Sequence, residues 1–458
     1  MKLNRVLLGN SRFSDLAGSE IATLELAESL RARGIAVTIA SFEIGGDVAR
    51  TAQNIGCELL NLSQPPAVMH EYDLAWVHHA LTYYALFFKF GIRASQVVFS
   101  SLSHYEPLEC PPIPVAGVTL YLVNSDENAE YFRSAYPALA DRMTIFPNAA
   151  PLRFWLMPPS ASRSKDALSR LAIVSNHPPR EVVEAMSMAR ERGVEVDHFG
   201  HGGTSVRIEP EILTKYDAVV TIGKTVQYCL AMHIPVYCYD HFGGPGWLSP
   251  ENVSAAAWHN FSGRSDMRRL TASDLVDEWV GGFEQAKIAV QSLSDYAKCC
   301  FDLETNLERV LSVLDTSMSS ISLEPIWQRT VKAILERHTA VVVRARATEV
   351  ELREAFAQST QRCAELGRHG GELESRCREL ERDVARLEAE LTNRTNDMAQ
   401  RAEAYHGQLN ELKEENQRLR ADNAGLCLKI DTLTQSFSWR ITAPFRAIKA
   451  RWDRRTNL

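Results

Sequence analysis

Residues 221–264 read TIGKTVQYCLAMHIPVYCYDHFGGPGWLSPENVSAAAWHNFSGR, and the order of apolar and turn residues in them decides the fold class. An apolar strand ends at a glycine turn, a short helix follows, and a second apolar strand covers 235–239. The chain then enters a loop dense in Gly, Asp, His and Trp. Strand, turn, helix and strand in that order build a parallel α/β unit. The Gly223-Lys224-Thr225 turn sets free backbone N–H groups, the positive end of a helix dipole and an ammonium at one point, which suits a phosphate. The loop beyond it is suited to wrapping a sugar, so the pair points to a nucleotide-sugar site.

The same alternation extends upstream. Strands are expected over 5–8, 36–40, 73–77, 96–100 and 119–123, with helices over 21–33 and 128–135. Gly34 closes the first helix as its C-cap. A break at Pro147-Asn148 and the prolines 151, 158 and 159 mark an interdomain linker. A second alternating unit has strands over 171–174, 194–199, 217–222 and 235–239, a helix over 181–192 and further helical pattern over 273–314. The expected organisation is a first Rossmann-like domain over 1–150, a second over 151–315, a Ser-rich linker over 316–325, a helical region over 326–437 and a basic tail over 438–458.

Composition narrows the class. With 458 residues, 45% apolar and 23% charged, the chain has room for two or three domains with ample cores. A net charge of −7 argues against a nucleic-acid partner. Nine cysteines without CxxC pairs suit a reducing, cytosolic compartment. The opening residues read as a first strand and not as a signal peptide, and no apolar run is long enough to span a membrane. HExxH and DxD patterns are absent, so no essential metal and no other cofactor is expected.

From residue 326 the sequence is helix-forming and laced with charge. Beyond His369-Gly370-Gly371, the residues Cys377, Val384, Leu391, Met398, Tyr405, Leu412, Leu419, Leu426 and Leu433 recur every seventh position. Their partners Leu380 and Leu387 lie three residues on, whereas Leu409, Asn416, Asn423, Ile430 and Phe437 lie four on, so a stutter falls near 394–408. Asn at two successive core positions favours two parallel strands, hence a homodimeric coiled coil. The alternative is one long helix packed on its own head. In the tail, six Lys/Arg accompany Ile441, Phe445, Ile448 and Trp452 on one helical face. That pattern suits an anionic membrane surface, at about 1 kcal/mol per basic residue. A solvated basic end, or a helix docked on a partner, is the plainer reading.

Two successive doubly wound units with a linker, and a helical stretch that returns, resemble the GT-B fold of glycosyltransferases. Gly18-Ser19-Glu20 resembles the loop that opens the first helix of the large retaining family. Residues 72–79, YDLAWVHH, resemble its yDvvhvH strand, and Val123-Asn124-Ser125-Asp126 and Ile145-Phe146-Pro147-Asn148 resemble later segments. Residues 228–236, YCLAMHIPV, resemble EAMAxGxPV, with Tyr228 where that family has a glutamate. Residues 438–446, SWRITAPFR, resemble the SWRxTxPxR ending of many surface-polysaccharide glycosyltransferases. The implied fold class is α/β, GT-B-like, with two doubly wound Rossmann-like domains and a C-terminal α-helical coiled coil.

The candidate site follows. Lys224 would meet a donor diphosphate and stabilise it as it departs, helped by backbone N–H groups of Gly223 and Thr225; the plainer reading is a glycine turn with an exposed lysine. Gln227, one turn into that helix, is counted with the donor site. Gly243 and Gly244 follow the next strand, and in the family the matching glycines contact donor sugar and phosphate. Asp240 or His241 would hold a sugar hydroxyl, or Asp240 is a turn residue. Arg264 would reach a phosphate or cap a helix. The resemblance places Gly18, Asn176 and Arg180 at the donor as well. His104, beyond the strand over 96–100, is a catalytic histidine, an acceptor contact or a structural histidine, and His78 and His79 share that ambiguity. GKT without the upstream glycine of a Walker loop argues against an NTPase, and the missing GxGxxG against a dehydrogenase.

The function expected is transfer of a sugar from a nucleotide-sugar donor to a lipid-linked or growing glycan acceptor, by an enzyme peripheral to the cytoplasmic membrane face. A non-catalytic scaffold and a nucleotide-sugar epimerase are the competitors.

Overall fold

The computed structural model describes residues 3–64, 70–112, 117–157 and 167–314, the helix Glu374–Gln435, and the isolated positions 333, 355, 358 and 450. The chain divides into two compact units, Met1–Val342 and Val343–Leu458.

The first unit holds two sheets. Strands β1 (Arg5–Gly9), β3 (Ala36–Ser41), β5 (Glu58–Asn61), β6 (Glu71–His78), β7 (Arg93–Ser101), β8 (Leu120–Val123) and β9 (Met143–Ile145) form a seven-stranded sheet in the order β5-β3-β1-β6-β7-β8-β9. Its pairings are parallel; Leu7, for example, lies opposite Thr38 on one side and Ala75 on the other. The short pieces β2 (Arg12–Phe13) and β4 (Glu43–Ile44) pair beside it. A central parallel strand is covered on both faces, which is why β1 is an unbroken apolar run. Alternate residues serve different cores: Leu7 enters one, while Val6 and Leu8 enter the other with Leu24, Ala27 and Leu30 of helix α1 (Gly18–Ala32). Helices α2 (Gly46–Asn54), α3 (Ala80–Tyr84) and α4 (Asp126–Ala135) complete this half, and α5 (Leu152–Leu156) follows it.

The second sheet joins β10 (Arg170–Val174), β11 (Glu195–Phe199), β12 (Ala218–Thr221), β13 (Val236–Asp240) and β14 (Gly243–Trp247) in the order β11-β10-β12-β13-β14. Helices α6 (Arg180–Glu191), α7 (Pro210–Leu213) and α8 (Lys224–Ala231) link its strands. Then come α9 (Val253–Trp258), α10 (Ala272–Gly281), α11 (Phe283–Ser292), α12 (Ser294–Phe301) and α13 (Leu303–Val313). Of these, α10 buries Leu275, Val276 and Trp279 against one face of the second sheet. Helix α13 crosses back, packing Leu307 and Val310 into the core that holds α1.

The strand and helix alternation read from the sequence is the one observed. The long helical pattern over 273–314 breaks into four helices, and the short strands β2, β4, β5, β9 and β14 and the helices α2, α3, α5, α7 and α9 fall outside that reading. Residues 243–247, read as loop, form an antiparallel edge strand with Tyr237 opposite Trp247 and Cys238 opposite Gly246, so the second sheet is mixed. The sequence GGPGW has no alternating pattern, and tertiary pairing with β13 makes it a strand. The second compact unit contains α14 (Glu374–Gln435), a single helix of 62 residues. The tail over 438–458 lies outside the described residues, apart from position 450.

Gly243 and Gly244 are explained by this hairpin. A Cβ on Gly244 would stand 2.1 Å from the carbonyl oxygen of Cys238, and one on Gly243 2.3 Å from that of Arg268. Both contacts are backbone and cannot swing away. Gly244→Ala should therefore destabilise the head by about 1–3 kcal/mol, read as a lowered urea midpoint at constant m-value.

Candidate active site

A cleft of about 400 Å³ opens between the two sheets. From the first half it is lined by Leu16, Ala17, Gly18 and Ile21, where the chain leaves β1 and enters α1. From the second it is lined by Ser175, Asn176 and His177 after β10, by Ile222, Lys224 and Thr225 after β12, and by Asp240 and His241 at the end of β13. These segments follow the carboxyl ends of their strands, where open α/β sheets bind ligands. Two helices begin at this cleft, and neither has a side-chain cap. Ala17 is the N-cap of α1, and Gly223, with φ of 58°, is that of α8. The first intrahelical donors are Ile21 and Val226, so the N–H groups ahead of them are available to an anion. The first turn of α8 contains no acidic side chain to offset the dipole, whereas α1 carries Glu20.

Beside the cleft lies a half-buried ionic cluster centred on one buried carboxylate. Glu25 of α1, 1% exposed, has Lys224 Nζ at 2.7 Å and Arg153 Nη2 at 3.1 Å, and accepts a hydrogen bond from Tyr228 Oη at 2.6 Å. Lys224 Nζ also donates to the carbonyl oxygen of Ala149 at 3.2 Å. Glu28 meets Arg153 at 2.9 Å and Arg207 at 2.6 Å, and Glu209 meets the same two arginines at 2.6 and 2.9 Å. Three carboxylates and three cations thus compensate one another across the two halves. Lys224 lines the cleft, but its charge is already matched by Glu25. The ring of Tyr228 stacks on Phe154 with centroids 4.1 Å apart, so the position where the resemblance led to expect a glutamate belongs to this clasp.

The other expected site residues divide. Gly18, Asn176, Lys224, Thr225, Asp240 and His241 come together around the cleft. The carboxylate of Asp240 is occupied, accepting the N–H of Phe242 at 2.7 Å and of Gly263 at 3.0 Å, which makes it a turn residue. Gly223 caps α8, and Gln227 is buried within it. Gly243 and Gly244 face neighbouring backbone and not the cleft. Arg180 points outward, 90% exposed, and pairs with Glu184 at 2.7 Å. Arg264 makes a two-pronged bond to Glu127 of α4 at 3.0 and 2.6 Å, joining the two halves instead of facing a phosphate. His104 sits beyond β7 outside the cleft lining, its Nδ1 2.6 Å from Asn128 Oδ1. Arg207, Val206 and Ile208 line the cleft and were missed, because their segment carries no motif.

His78 ends β6, His79 caps the start of α3, and both are buried. Burial holds His78 down to about 3 and His79 to about 4. Ser11 donates its N–H to His79 Nδ1 at 3.2 Å, with its Oγ 2.7 Å from the same nitrogen, which fixes a neutral ring. Glu109 Oε1 lies 3.9 Å from His79 Nε2, and burial lifts Glu109 to about 7 although it accepts the N–H groups of Leu102 and Ser103. The signs oppose. Between the folded and ordinary histidine values the unfolded chain binds more protons, so the histidines make stability rise with pH. Glu109 keeps its proton in the fold up to about 7, so it makes stability fall from about pH 4.5 to 7. Glu109→Gln should therefore stabilise the protein at pH 7.5 by about 1–3 kcal/mol more than at pH 5, read from urea midpoints at the two pH values.

No family model matches this chain, and no curated protein matches it. Solved structures similar to it include a glycosyltransferase from Rickettsia africae, with a TM-score of 0.46, 11% identity and coverage of 68% of this chain and 98% of that one. A sucrose-phosphate synthase from Thermosynechococcus elongatus gives 0.45 and 11%, with coverage of 68% and 98%. The lipopolysaccharide outer core galactosyltransferase WaaB gives 0.42 and 11%, with coverage of 68% and 100%.

Proposed function

We propose that the protein transfers a sugar from a nucleotide-sugar donor to a glycan or lipid-linked acceptor. The observation that carries this reading is the convergence of two helix N-termini without side-chain caps, one from each half, on a single cleft at the carboxyl ends of both sheets. Such an arrangement favours a dianionic diphosphate over a neutral ligand. In the transfer an acceptor hydroxyl oxygen forms a bond to the anomeric carbon as the bond from that carbon to the diphosphate oxygen breaks. The acceptor proton passes to a base or to the departing phosphate. Charge then grows on the diphosphate, where the N–H groups of α8 stabilise it. In this reading Lys224 exchanges part of its contact with Glu25 for the phosphate, and Asn176 and His241 border the sugar. His104 lies on the acceptor side, and no metal is needed.

A second reading is favoured by one observation. Both cations on the cleft wall, Lys224 and Arg207, are already matched by carboxylates, as fits a head that has lost its chemistry and serves as a scaffold. Helix α14 leaves Leu391, Met398, Leu419 and Leu426 exposed, 52–64% each, along the heptad seam. We assign that seam to a parallel homodimer. At about 1.5 Å per residue its 62 residues span about 93 Å. The basic tail holds the dimer on the cytoplasmic face of the membrane.

Two outcomes are expected. Among UDP-, GDP- and dTDP-sugars, one should raise the Tm of the full-length protein, and Thr225→Glu, which places a carboxylate at the start of α8, should abolish that shift without lowering the Tm of the unliganded protein. No shift with any donor transfers the weight to the scaffold. Separately, deletion of residues 436–458 should release the protein from vesicles containing anionic lipid in a flotation assay; unchanged binding refutes the membrane role.

A further inference from the structure

Three side chains with nucleophilic and acid–base chemistry meet at the carboxyl edge of the larger sheet. Ser11 follows β1, His79 follows β6, and Glu109 closes a short helical turn (Pro107–Glu109) after β7, so the three come from neighbouring strands. Ser11 Oγ lies 2.7 Å from His79 Nδ1, and the Ser11 N–H donates to the same nitrogen at 3.2 Å. Nδ1 is therefore the acceptor, and Nε2 carries the proton of the neutral ring. Glu109 Oε1 lies 3.9 Å from that Nε2. The other oxygen of Glu109, Oε2, accepts the N–H groups of Leu102 and Ser103, which fixes the carboxyl group beside the ring. Ser11 is half-buried, whereas His79 and Glu109 are buried.

The backbone of His79 is a second observation. It stands at φ 70° and ψ 124°, a left-handed conformation that strains a residue carrying a Cβ. Such strain persists only where the surroundings impose it, and it gathers at functional sites. His79 is the N-cap of α3, yet its side chain makes no cap bond and turns to Ser11 instead. Beside this pair, the exposed side chain of Arg12 has Asp15 and Glu43 only at 3.6 and 3.5 Å, distances longer than closed ion pairs.

We propose that Ser11 is a nucleophile served by His79 and Glu109, and that it accepts the acyl group of a small ester in an activity separate from glycosyl transfer. The chemistry selects the occupant, because a serine hydroxyl bonded to a neutral imidazole attacks an acyl carbon. Ser11 Oγ forms a bond to the ester carbonyl carbon while His79 Nδ1 takes the hydroxyl proton and the carbonyl π electrons pass to oxygen. The Arg12 guanidinium is the cation at hand for that oxyanion. Collapse of the adduct breaks the bond to the alcohol oxygen, and the alcohol leaves with the proton from His79. Water then adds to the acyl group by the same route, releasing the carboxylic acid and restoring the Ser11 hydroxyl. The half-buried setting of Ser11 suits a short acyl chain. Glu109 touches no substrate; it is a positioning residue that meets the imidazolium formed in each half of the cycle. The gap of 3.9 Å is one that the charged ring would close, since such contacts tighten when the reacting complex forms. The groups facing Glu109 are His79, Glu106 and Tyr121, and those facing His79 are His78 and Arg12. Burial holds His79 at about 4 and lifts Glu109 to about 7, so the counter-charge for the imidazolium appears as the pH rises through 7 over a histidine that is already neutral.

The test treats the full-length protein with a fluorophosphonate, which phosphonylates a reactive serine with loss of fluoride, and locates the adduct by peptide mass spectrometry. Ser11 should be labelled, at a rate that rises about thirtyfold from pH 5.5 to 8.5 as one group near 7 ionises. Glu109→Gln, which keeps the shape and removes the charge, should lose that rise. p-Nitrophenyl acetate should release a burst of nitrophenolate that is absent in Ser11→Ala. The proposal is overturned if Ser11 carries no adduct, if Glu109→Gln is labelled with the pH profile of the parent, or if the burst survives in Ser11→Ala. None of these readouts involves a nucleotide-sugar, so the transferase reading stands or falls separately.

Discussion

The geometry of the head depends on one carboxylate. Glu25 sits on the second turn of α1 and is nearly out of water, a position that is costly for an ion unless it is met from several sides. It is met by Lys224 and Tyr228 from α8 and by Arg153 from α5, elements that belong to the second half or lead into it. Buried ion pairs of this kind add little net stability compared with an apolar contact, but their directionality penalises any other docking. The cleft exists at its width because α1 and α8 are held at a fixed spacing by that cluster. Arg264 with Glu127, and Asn148 with Asn260 at 3.0 Å, repeat the arrangement at further points along the junction.

The same cluster explains why Lys224 was legible as a special residue and yet misread in part. A lysine after a strand and a glycine turn is placed at the carboxyl edge of a sheet by backbone logic alone, and it is there. Its partner is a glutamate far back in the sequence on the other half of the head, and no local pattern announces such a pairing. Arg264 carries the same lesson, since its partner Glu127 lies on α4. Strands with continuous apolar sequence, such as β1, β6 and β12, were readable because burial on both faces leaves that signature. β14 and the short β5 and β9 were not, because pairing rather than composition makes them strands.

The glycines show where motif and mechanism part. Gly243 and Gly244 follow a strand beside the cleft, a place where close backbone approach to a ligand is the natural expectation. The structure gives their absent side chains a different purpose, since Cys238 and Arg268 backbone occupies the space. Gly223 is the converse case: no atom lies within 4 Å of the place its Cβ would take, and its left-handed backbone is what turns β12 into α8. The segments after β12 and β13 do border the cleft, and the reason for each residue emerges only from its contacts.

The edge strand β14 has an effect unrelated to the cleft. An open sheet exposes unpaired backbone at its margins and invites pairing with another chain. Here one margin is Gly243-Gly244-Pro245-Gly246-Trp247, a strand of five residues in which Pro245 has no N–H to offer and the glycines carry no side chains to interdigitate. The margins of the larger sheet are β5 and β9, of four and three residues. These three margins are too short or too irregular to template a foreign strand, which leaves β11, Glu195–Phe199, as the regular edge strand of the two sheets.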